Sequence, residues 1–236
     1  MTITAELYLR MQTFNPAVAF LHQQRFRALA REVRAISLPR PIRVLDLGAG
    51  PAKAFEVLDR IASIDYTGID TNINFFQFAT SRYGQANNFR MFNASFLDET
   101  FLASLGHFDL AFALETMEHI GPCAAESLAR TMINLGVEKF ICSVPIETGP
   151  PVALKNIGSL LCGYGRHIEY SFADTWWAAL GRLDKVRAHD GGHRGFDWRE
   201  LSSMLSIYYP RKKASLLPFS HLPAWLNTSA FFVCAR

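Results

Sequence analysis

Apolar and polar residues alternate along the middle of the chain in two distinct patterns. Short, nearly continuous apolar runs predict buried strands at 43–47, 66–70, 89–94, 108–114 and 139–145. Between them, apolar residues recur three or four positions apart, which predicts helices at 53–61, 72–82 and about 122–134. This alternation predicts a doubly wound α/β fold built on a parallel sheet, which binds ligands at the carboxyl ends of its strands.

The pattern changes on both sides of this central region. Residues 1–38 are predicted to be helical, with a break at Asn15-Pro16. This N-terminal extension is expected either to pack against the sheet or to act as a lid over the substrate. After the fifth strand an insertion at about 148–196 holds two candidate helices, 152–161 and 172–183. Regular structure then resumes with a helix near 198–207 and strands at 213–217 and 229–234.

The composition fits one globular domain after the extension, at 39–236, and limits its partners. The chain has 236 residues, half of them hydrophobic, which is ample for a core. Its net charge of +3 does not by itself predict binding to nucleic acid or to an anionic membrane. No apolar run approaches the ~18 residues that span a bilayer, and the N-terminus has no signal-peptide core. We therefore expect a cytoplasmic protein.

Four cysteines are spread widely through the sequence. They are Cys123, Cys142, Cys162 and Cys234. Because no two of them form a CxxC pair, we expect free thiols in a reducing compartment rather than disulfides or a zinc site.

A glycine turn follows the first predicted strand and is the centre of the candidate chemistry. The turn reads Asp46-Leu47-Gly48-Ala49-Gly50-Pro51-Ala52. Two glycines spaced by one residue let the main chain turn sharply while a ligand lies against it. The second strand ends in Gly68-Ile69-Asp70, and Asp70 stands where a carboxylate accepts hydrogen bonds from ribose hydroxyls. These residues predict a nucleotide-like ligand.

This combination resembles the class I S-adenosylmethionine-dependent methyltransferases. The sequence departs from their pattern at two positions. The third small position of the glycine loop is Ala52, and Pro51 removes a backbone donor, although proline is tolerated in a first helical turn. The resemblance implies a seven-stranded Rossmann-like sheet whose last strand is inserted antiparallel. It also implies S-adenosyl-L-methionine as cofactor, with Asp46, Gly48, Gly50 and Asp70 among its binding residues.

The resemblance places the adenine just past the third strand. Ser95 and Phe96 are the candidates for holding it, with Asn93 and Asp98 as rivals. An ordinary loop at a strand end, with Phe96 in the core, is the structural alternative.

Two carboxylates and an imidazole follow the fourth strand, at Glu115, Glu118 and His119. If a helical turn follows the strand, these positions share one face. Such a set suits Mg²⁺ or Mn²⁺, and also Zn²⁺, with His193 as a further ligand. The spacing is similar to that of ubiquinone-biosynthesis O-methyltransferases and of small-RNA 2′-O-methyltransferases. In the latter family a metal-binding histidine precedes a Phe-acid-Trp run, which 196–198 match with Gly195 inserted.

The same residues also fit a site without metal. His119 or His193 would then accept a proton from the acceptor as a general base, and Glu115 would help to hold the methionine end of the cofactor. A purely structural role for this group is the third alternative.

Three functions are compatible with these residues. The leading hypothesis is methyl transfer to an oxygen of a small-molecule or glycan-like acceptor, whose pocket the insertion would form. The second is a metal-dependent RNA 2′-O-methyltransferase, which requires a basic groove with stacking aromatic residues. The third is a non-catalytic binding protein that keeps the fold as a scaffold.

Overall fold

The architecture is that of a mixed seven-stranded sheet with helices on both faces. The structure, a computed structural model, describes residues 4–13, 16–150, 152–153, 171–186 and 191–236. The strands are β1 (Ile42–Leu47), β2 (Ile64–Asp70), β3 (Phe89–Asn93), β4 (Leu110–Leu114), β5 (Lys139–Pro145), β6 (Arg211–Leu217) and β7 (Ser229–Ala235).

Strand order identifies the topology. The strands lie in the order β3-β2-β1-β4-β5-β7-β6. The pairs among β1 to β5 are parallel, whereas β7 pairs antiparallel with both β5 and β6. The predicted doubly wound, Rossmann-like sheet and its antiparallel last strand are therefore confirmed.

Helices connect the strands and precede the sheet. They are α1 (Ala5–Gln12), α2 (Pro16–Arg34), α3 (Lys53–Leu58), α4 (Ile73–Tyr83), α5 (Glu99–Ser104), α6 (Pro122–Asn134), α7 (Phe172–Ala179) and α8 (Trp198–Tyr208). Short 3₁₀ turns lie at Met117–His119, Leu183–Lys185 and Ala224–Leu226. No helix in the part of the chain that the structure describes is long and apolar enough to cross a membrane.

Strand β4 shows why the central strands read as unbroken apolar runs. Leu110 and Phe112 are buried in the core on one face of the sheet, while Ala111 and Ala113 are buried in the core on the other face. Because side chains alternate between faces, a strand covered on both sides needs apolar residues at every position.

Helix α2 belongs to this core rather than standing apart from it. Leu29 and Val33 are fully buried in the same cluster as β1 residues, and α2 contacts α3, β6 and β7. The predicted packing of the N-terminal extension against the sheet is confirmed for α2.

Several predicted details differ or lie outside the described residues. Helix α5 was not expected; Asp98 caps it by accepting a hydrogen bond from the Phe101 N–H (2.9 Å). Helix α7 ends at Ala179 rather than at 183. Only 152–153 of the predicted helix 152–161 are described, and both are helical. Cys123, Cys142 and Cys234 are free thiols, as expected, whereas Cys162 lies outside the described residues.

Candidate cofactor and catalytic site

The glycine loop takes the backbone conformation that its sequence predicts. Gly48 and Gly50 have φ angles of +75° and +55°, a region that favours glycine. A Cβ atom on Gly48 would lie 2.6 Å from the Thr116 side chain. The hydroxyl of Thr116 also donates to the Leu47 carbonyl (3.1 Å), so the loop is fitted closely against the turn after β4.

Ala52 completes the loop in a conformation that alanine rarely adopts. Its φ angle is +56°, and its side chain is fully buried where α3 begins. A left-handed conformation of a residue with a Cβ atom costs about 1 kcal/mol. The departure from the family pattern therefore keeps the shape of a glycine loop at an energetic cost.

Asp70 ends β2 beside this loop and is tied to it. Its Oδ2 accepts a hydrogen bond from the Gly50 N–H (2.7 Å), and its Oδ1 accepts one from the Asn72 N–H (2.8 Å). Burial raises the pKa of the carboxyl, while these two backbone donors oppose that shift. Each oxygen keeps a lone pair, so the carboxylate can still accept a hydrogen bond from a ligand hydroxyl.

Asp46 is buried beneath the loop with a partner that the sequence did not reveal. The Tyr66 hydroxyl donates to Asp46 Oδ2 (2.5 Å). Burial raises the pKa of Asp46 to about 7, although the Tyr66 hydrogen bond favours the ionised form. The protonation state of this group therefore changes near neutral pH.

The candidates for adenine binding occupy different environments. Ser95 is exposed, and its Oγ accepts a hydrogen bond from the Leu97 N–H (3.2 Å). Phe96 lines a cavity of about 180 Å³ together with α6. The Asn93 amide donates to the Asp70 carbonyl (2.9 Å), and Asp98 is the cap of α5. The adenine role of Ser95 and Phe96 stays a prediction.

The turn after β4 differs from the predicted helical turn. Glu115 has a φ angle of +54°, and its N–H donates to the Ser143 carbonyl of β5 (2.8 Å). The Ser143 hydroxyl donates to Glu115 Oε1 (3.2 Å). A 3₁₀ turn then runs over Met117–His119. The expectation of one helical face is wrong here, because the left-handed residue bonded to β5 prevents a helix from starting at the strand end.

Glu118 is the most unusual side chain of this turn. It is fully buried, and neither carboxylate oxygen has a hydrogen-bond partner on another described residue. Burial, and then the charge of Glu115, raise the pKa of this carboxyl well above its ordinary value. Buried polar groups are almost always satisfied in native proteins, so a carboxylate in this state points to a ligand at the site.

The two predicted histidines meet beside Glu118. The rings of His119 and His193 lie in an edge-to-face arrangement with centroids 5.0 Å apart. His119 Nε2 lies 3.8 Å from Glu118 Oε1, and His193 Nδ1 lies 3.7 Å from Glu147 Oε1. The Gly192 N–H donates to the Glu118 carbonyl (2.7 Å), which holds the His193 segment against the turn.

Glu147 was missed by the sequence analysis. It lies two residues beyond β5 and is fully buried. Its position was the available signal, because a carboxylate just past a parallel strand points to the ligand-binding edge of the sheet. The predicted Phe-acid-Trp run has a structural role, since Phe196 is buried and Asp197 caps α8 through the Arg199 N–H (2.9 Å).

The proposed metal ligands do not form a coordination site. Within residues 4–13, 16–150, 152–153, 171–186 and 191–236, no group of three or more His, Cys, Asp or Glu side chains is arranged to hold a metal ion. Glu115, for example, is hydrogen-bonded to Ser143. A requirement for Mg²⁺ or Mn²⁺ at Glu115, Glu118, His119 and His193 stays a prediction.

The N-terminal helices contribute side chains that the sequence analysis did not select. The Tyr8 ring of α1 lies 5.2 Å from the Phe75 ring and is the nearest group to the space above Gly50. Burial raises the pKa of the Tyr8 hydroxyl, opposed by Arg25 and reinforced by Glu115 among other acids. Helix α1 thus covers the glycine loop.

These residues fit S-adenosylmethionine as a ligand. The glycine loop leaves open space above Gly50, and buried carboxylates flank it at Asp46 and Asp70. Asp70 would hold the ribose hydroxyls, and the loop would lie against the rest of the cofactor. Four of the six residues predicted to bind the cofactor, Asp46, Gly48, Gly50 and Asp70, are brought together in this way.

Comparison with known proteins places this arrangement in a wider group. A family described as "Methyltransferase domain" matches residues 20–194. No curated protein sequence matches the chain.

Several solved structures share the fold. The small RNA methyltransferase HEN1 is 17% identical with a TM-score of 0.61, over 92% of this chain and 25% of that one, so this chain spans a quarter of its length. The methyltransferase domain of bacterial CtHen1 is 16% identical with a TM-score of 0.60, over 92% of this chain and 100% of that one. Magnesium protoporphyrin IX methyltransferase from Synechocystis PCC 6803 is 14% identical with a TM-score of 0.61, over 97% of this chain and 92% of that one.

Proposed function

We propose that this chain methylates an oxygen atom of a small-molecule or glycan-like acceptor. The chain belongs to the methyltransferase domain family and is an S-adenosylmethionine-dependent methyltransferase. The observation that carries the proposal is the contact between the His119 and His193 rings beside two buried carboxylates. These groups lie where β4 and β5 end, which is the ligand-binding edge of such a sheet.

A histidine pair suits oxygen as the acceptor atom. A hydroxyl group must lose its proton as its oxygen gains the methyl group, and imidazole exchanges protons near neutral pH. The His119 side chain is half exposed (54%), so an acceptor can reach it. The Glu147 carboxylate, 3.7 Å from His193 Nδ1, favours the imidazolium that forms when His193 takes a proton.

The remaining residues position the reactants. When bound, the cofactor supplies a methyl group on a sulfonium, which is ready for in-line displacement. Asp70 and the glycine loop would hold the nucleoside part, and Asp46 lies beneath the loop. His119 or His193 accepts the hydroxyl proton as the acceptor oxygen takes the methyl group. Correct placement of two bound reactants accounts for much of the rate of such a transfer.

A cavity of small-molecule size lies next to the turn over Met117–His119, although neither histidine lines it. It has a volume of about 400 Å³ and lies between α6 and α8, with Met117, Ile120 and Phe196 in its wall. This volume falls in the range of small-molecule sites. Its charged lining residues, among those described, are Glu126, Asp197 and Glu200. An acidic lining disfavours a phosphate backbone.

The second candidate is metal-dependent methylation of an RNA ribose. It is supported by the approach of Glu118, His119 and His193 to one another and by the fold shared with the small RNA methyltransferase HEN1. The net charge of +3 and the acidic cavity oppose it. The third candidate, a non-catalytic binding protein, is opposed by the family assignment.

Radiolabelled methyl transfer tests the proposal. The protein would be incubated with labelled S-adenosylmethionine and, in turn, with hydroxyaromatic compounds, simple glycosides and a short single-stranded RNA. Each reaction would be run with Mg²⁺ or Mn²⁺ and again in chelator. We expect label on a hydroxyl compound and a large loss of turnover in H119A or H193A.

The matched control is His107, which lies just before β4, at the opposite edge of the sheet, and approaches Asp109 (3.5 Å). The H107A variant should keep full turnover. Label on RNA alone, abolished by chelation, would replace the proposal with the second candidate. Transfer that persists in the double variant of His119 and His193 would remove the general-base role.

A further inference from the structure

Arg25 of α2 is a buried cation that the function described so far does not use. It is the only arginine or lysine among the described residues that is buried, with 6% of its surface exposed. Its Nη1 donates to His22 Nδ1 (3.0 Å), whereas its Nε has no hydrogen-bond partner in the described part of the chain. A buried guanidinium with an unused donor is unfavourable unless a ligand or a charge completes it.

Helix packing directs Arg25 toward the cofactor region. Ala28 and Leu29 follow Arg25 by three and four positions, so the three residues share one face of α2. On that face, Ala28 and Leu29 pack in the same cluster as Ala52 and Ala54, where the glycine loop enters α3. Arg25 therefore projects from the face of α2 that rests on the loop.

Electrostatics places the guanidinium toward one end of the site. Burial raises the pKa of the Tyr8 hydroxyl and of the Glu118 carboxyl, and the charge of Arg25 opposes both shifts. Arg25 thus lies close enough to Glu118 for its charge to act there, whereas the ribose is proposed to lie at Asp70.

A positive charge at this end of the site suits the proposed cofactor. Four buried carboxylates lie along the edge of the sheet, at Asp46, Asp70, Glu118 and Glu147. Those that are ionised would repel an anionic group of a ligand. S-Adenosylmethionine carries a carboxylate on its amino-acid part, at the opposite end from the adenosine, and a cation placed there would stabilise it.

We propose that Arg25 binds the carboxylate of the cofactor's amino-acid part. The charge-assisted hydrogen bonds come from the Nε–H and from guanidinium donors that His22 does not occupy. Helix α2, which precedes the glycine loop, thereby completes the cofactor site at the end remote from Asp70. The inference rests on the cofactor assigned under the proposed function.

Two ligands that differ by one group test this assignment. S-Adenosylhomocysteine and its decarboxylated analogue, which keeps the amine and lacks only the carboxylate, would each be titrated calorimetrically into the wild-type protein, R25Q, R25K and R27Q. Arg27 is the matched control, because it lies on the same helix and is exposed.

We expect R25Q to bind S-adenosylhomocysteine at least about tenfold more weakly than wild type, as the loss of charge-assisted hydrogen bonds implies. Its affinity for the decarboxylated analogue should stay within about twofold. R25K should fall between wild type and R25Q, and R27Q should match wild type with both ligands. The ratio of the two affinities within one variant does not depend on the fraction of folded protein.

Two results would overturn the inference alone: equal weakening of both ligands in R25Q, which identifies a structural role, or no weakening of either. Failure of the wild-type protein to bind either ligand would overturn the cofactor assignment and, with it, this inference.

Discussion

The ligand-binding edge of the sheet has two sides that differ in how their carboxylates are bonded. On the glycine-loop side, formed by residues 46–52 and the end of β2, both oxygens of Asp70 accept backbone N–H groups and Asp46 accepts the Tyr66 hydroxyl. On the histidine side, formed by the turn after β4 and residues 191–195, Glu118 is fully buried and its two carboxylate oxygens have no hydrogen-bond partner on another described residue.

The two sides therefore differ in how far the protein alone organises the surface that meets a ligand. The glycine-loop side is held in shape by its own main chain, so its ligand finds a prepared surface. The histidine side keeps polar capacity unused, and buried polar groups without partners are unfavourable until something satisfies them. A ligand on the histidine side therefore has buried polar groups to satisfy, whereas a ligand on the glycine-loop side does not.

The largest expected effect comes from the buried carboxyl of Asp46, which should make the free energy of unfolding depend on pH. Its pKa is about 7 in the folded protein, against about 4 for an unfolded aspartate. The folded state holds this proton more tightly, so its stabilising effect is full below about pH 4 and is lost as pH rises toward 7. Between pH 5 and pH 8 the wild type should lose about 3 kcal/mol of unfolding free energy from this group, a loss that D46N should not show.

Urea denaturation at the two pH values measures this loss. The matched control is D109N, because Arg40 holds the pKa of Asp109 below its ordinary value, so that group stays ionised throughout this pH range. D109N should keep the wild-type difference between pH 5 and pH 8. An unchanged difference in D46N would show that the Tyr66 hydrogen bond outweighs burial.

The next effect concerns the other carboxylate of the glycine-loop side. D70A removes the acceptor for the Gly50 N–H and the proposed partner of the ribose. Calorimetric binding of S-adenosylhomocysteine should weaken by about 2 kcal/mol, the contribution of a hydrogen bond to a charged group. D65A, on the same strand but half exposed near Arg43 and Arg90, should bind normally. Normal binding by D70A would refute the ribose role.

The smallest effect tests the main-chain shape of the same side. A52G removes a left-handed conformation that costs about 1 kcal/mol, but it also removes a buried methyl group worth about 0.8 kcal/mol. The free energy of unfolding should therefore change by less than about 0.5 kcal/mol. G50A makes the reverse change at a φ angle of +55° and should lower stability by about 1 kcal/mol. Destabilisation of A52G beyond that of G50A would show that packing, not conformation, dominates here.

The sequence was sufficient for the parts of the molecule that depend on local pattern. Strand β5 and helix α6 have the predicted bounds, because unbroken apolar runs and helical spacing each permit one structure. Gly48, Gly50 and Asp70 were recognised because a turn with positive φ and an acid after the next strand both have a recognisable sequence pattern.

Residues that act through distant contacts were not predictable in this way. Glu115 takes its left-handed conformation through a hydrogen bond to Ser143, 28 residues away. Tyr8 and Arg25 read as ordinary members of amphipathic helices, and only the packing of those helices brings them to the edge of the sheet. Glu147 had no motif around it, because its partner His193 lies on a segment that follows the insertion.

Thr116 joins the two sides of the ligand-binding edge. Its side chain occupies the space that a Cβ atom on Gly48 would need, its hydroxyl is bonded to the Leu47 carbonyl, and the 3₁₀ turn with Glu118 and His119 begins at the next residue. Thr116 therefore contacts the glycine-loop side and directly precedes the turn of the histidine side. We therefore expect a shift of the glycine loop on ligand binding to be passed through Thr116 to the turn that carries His119.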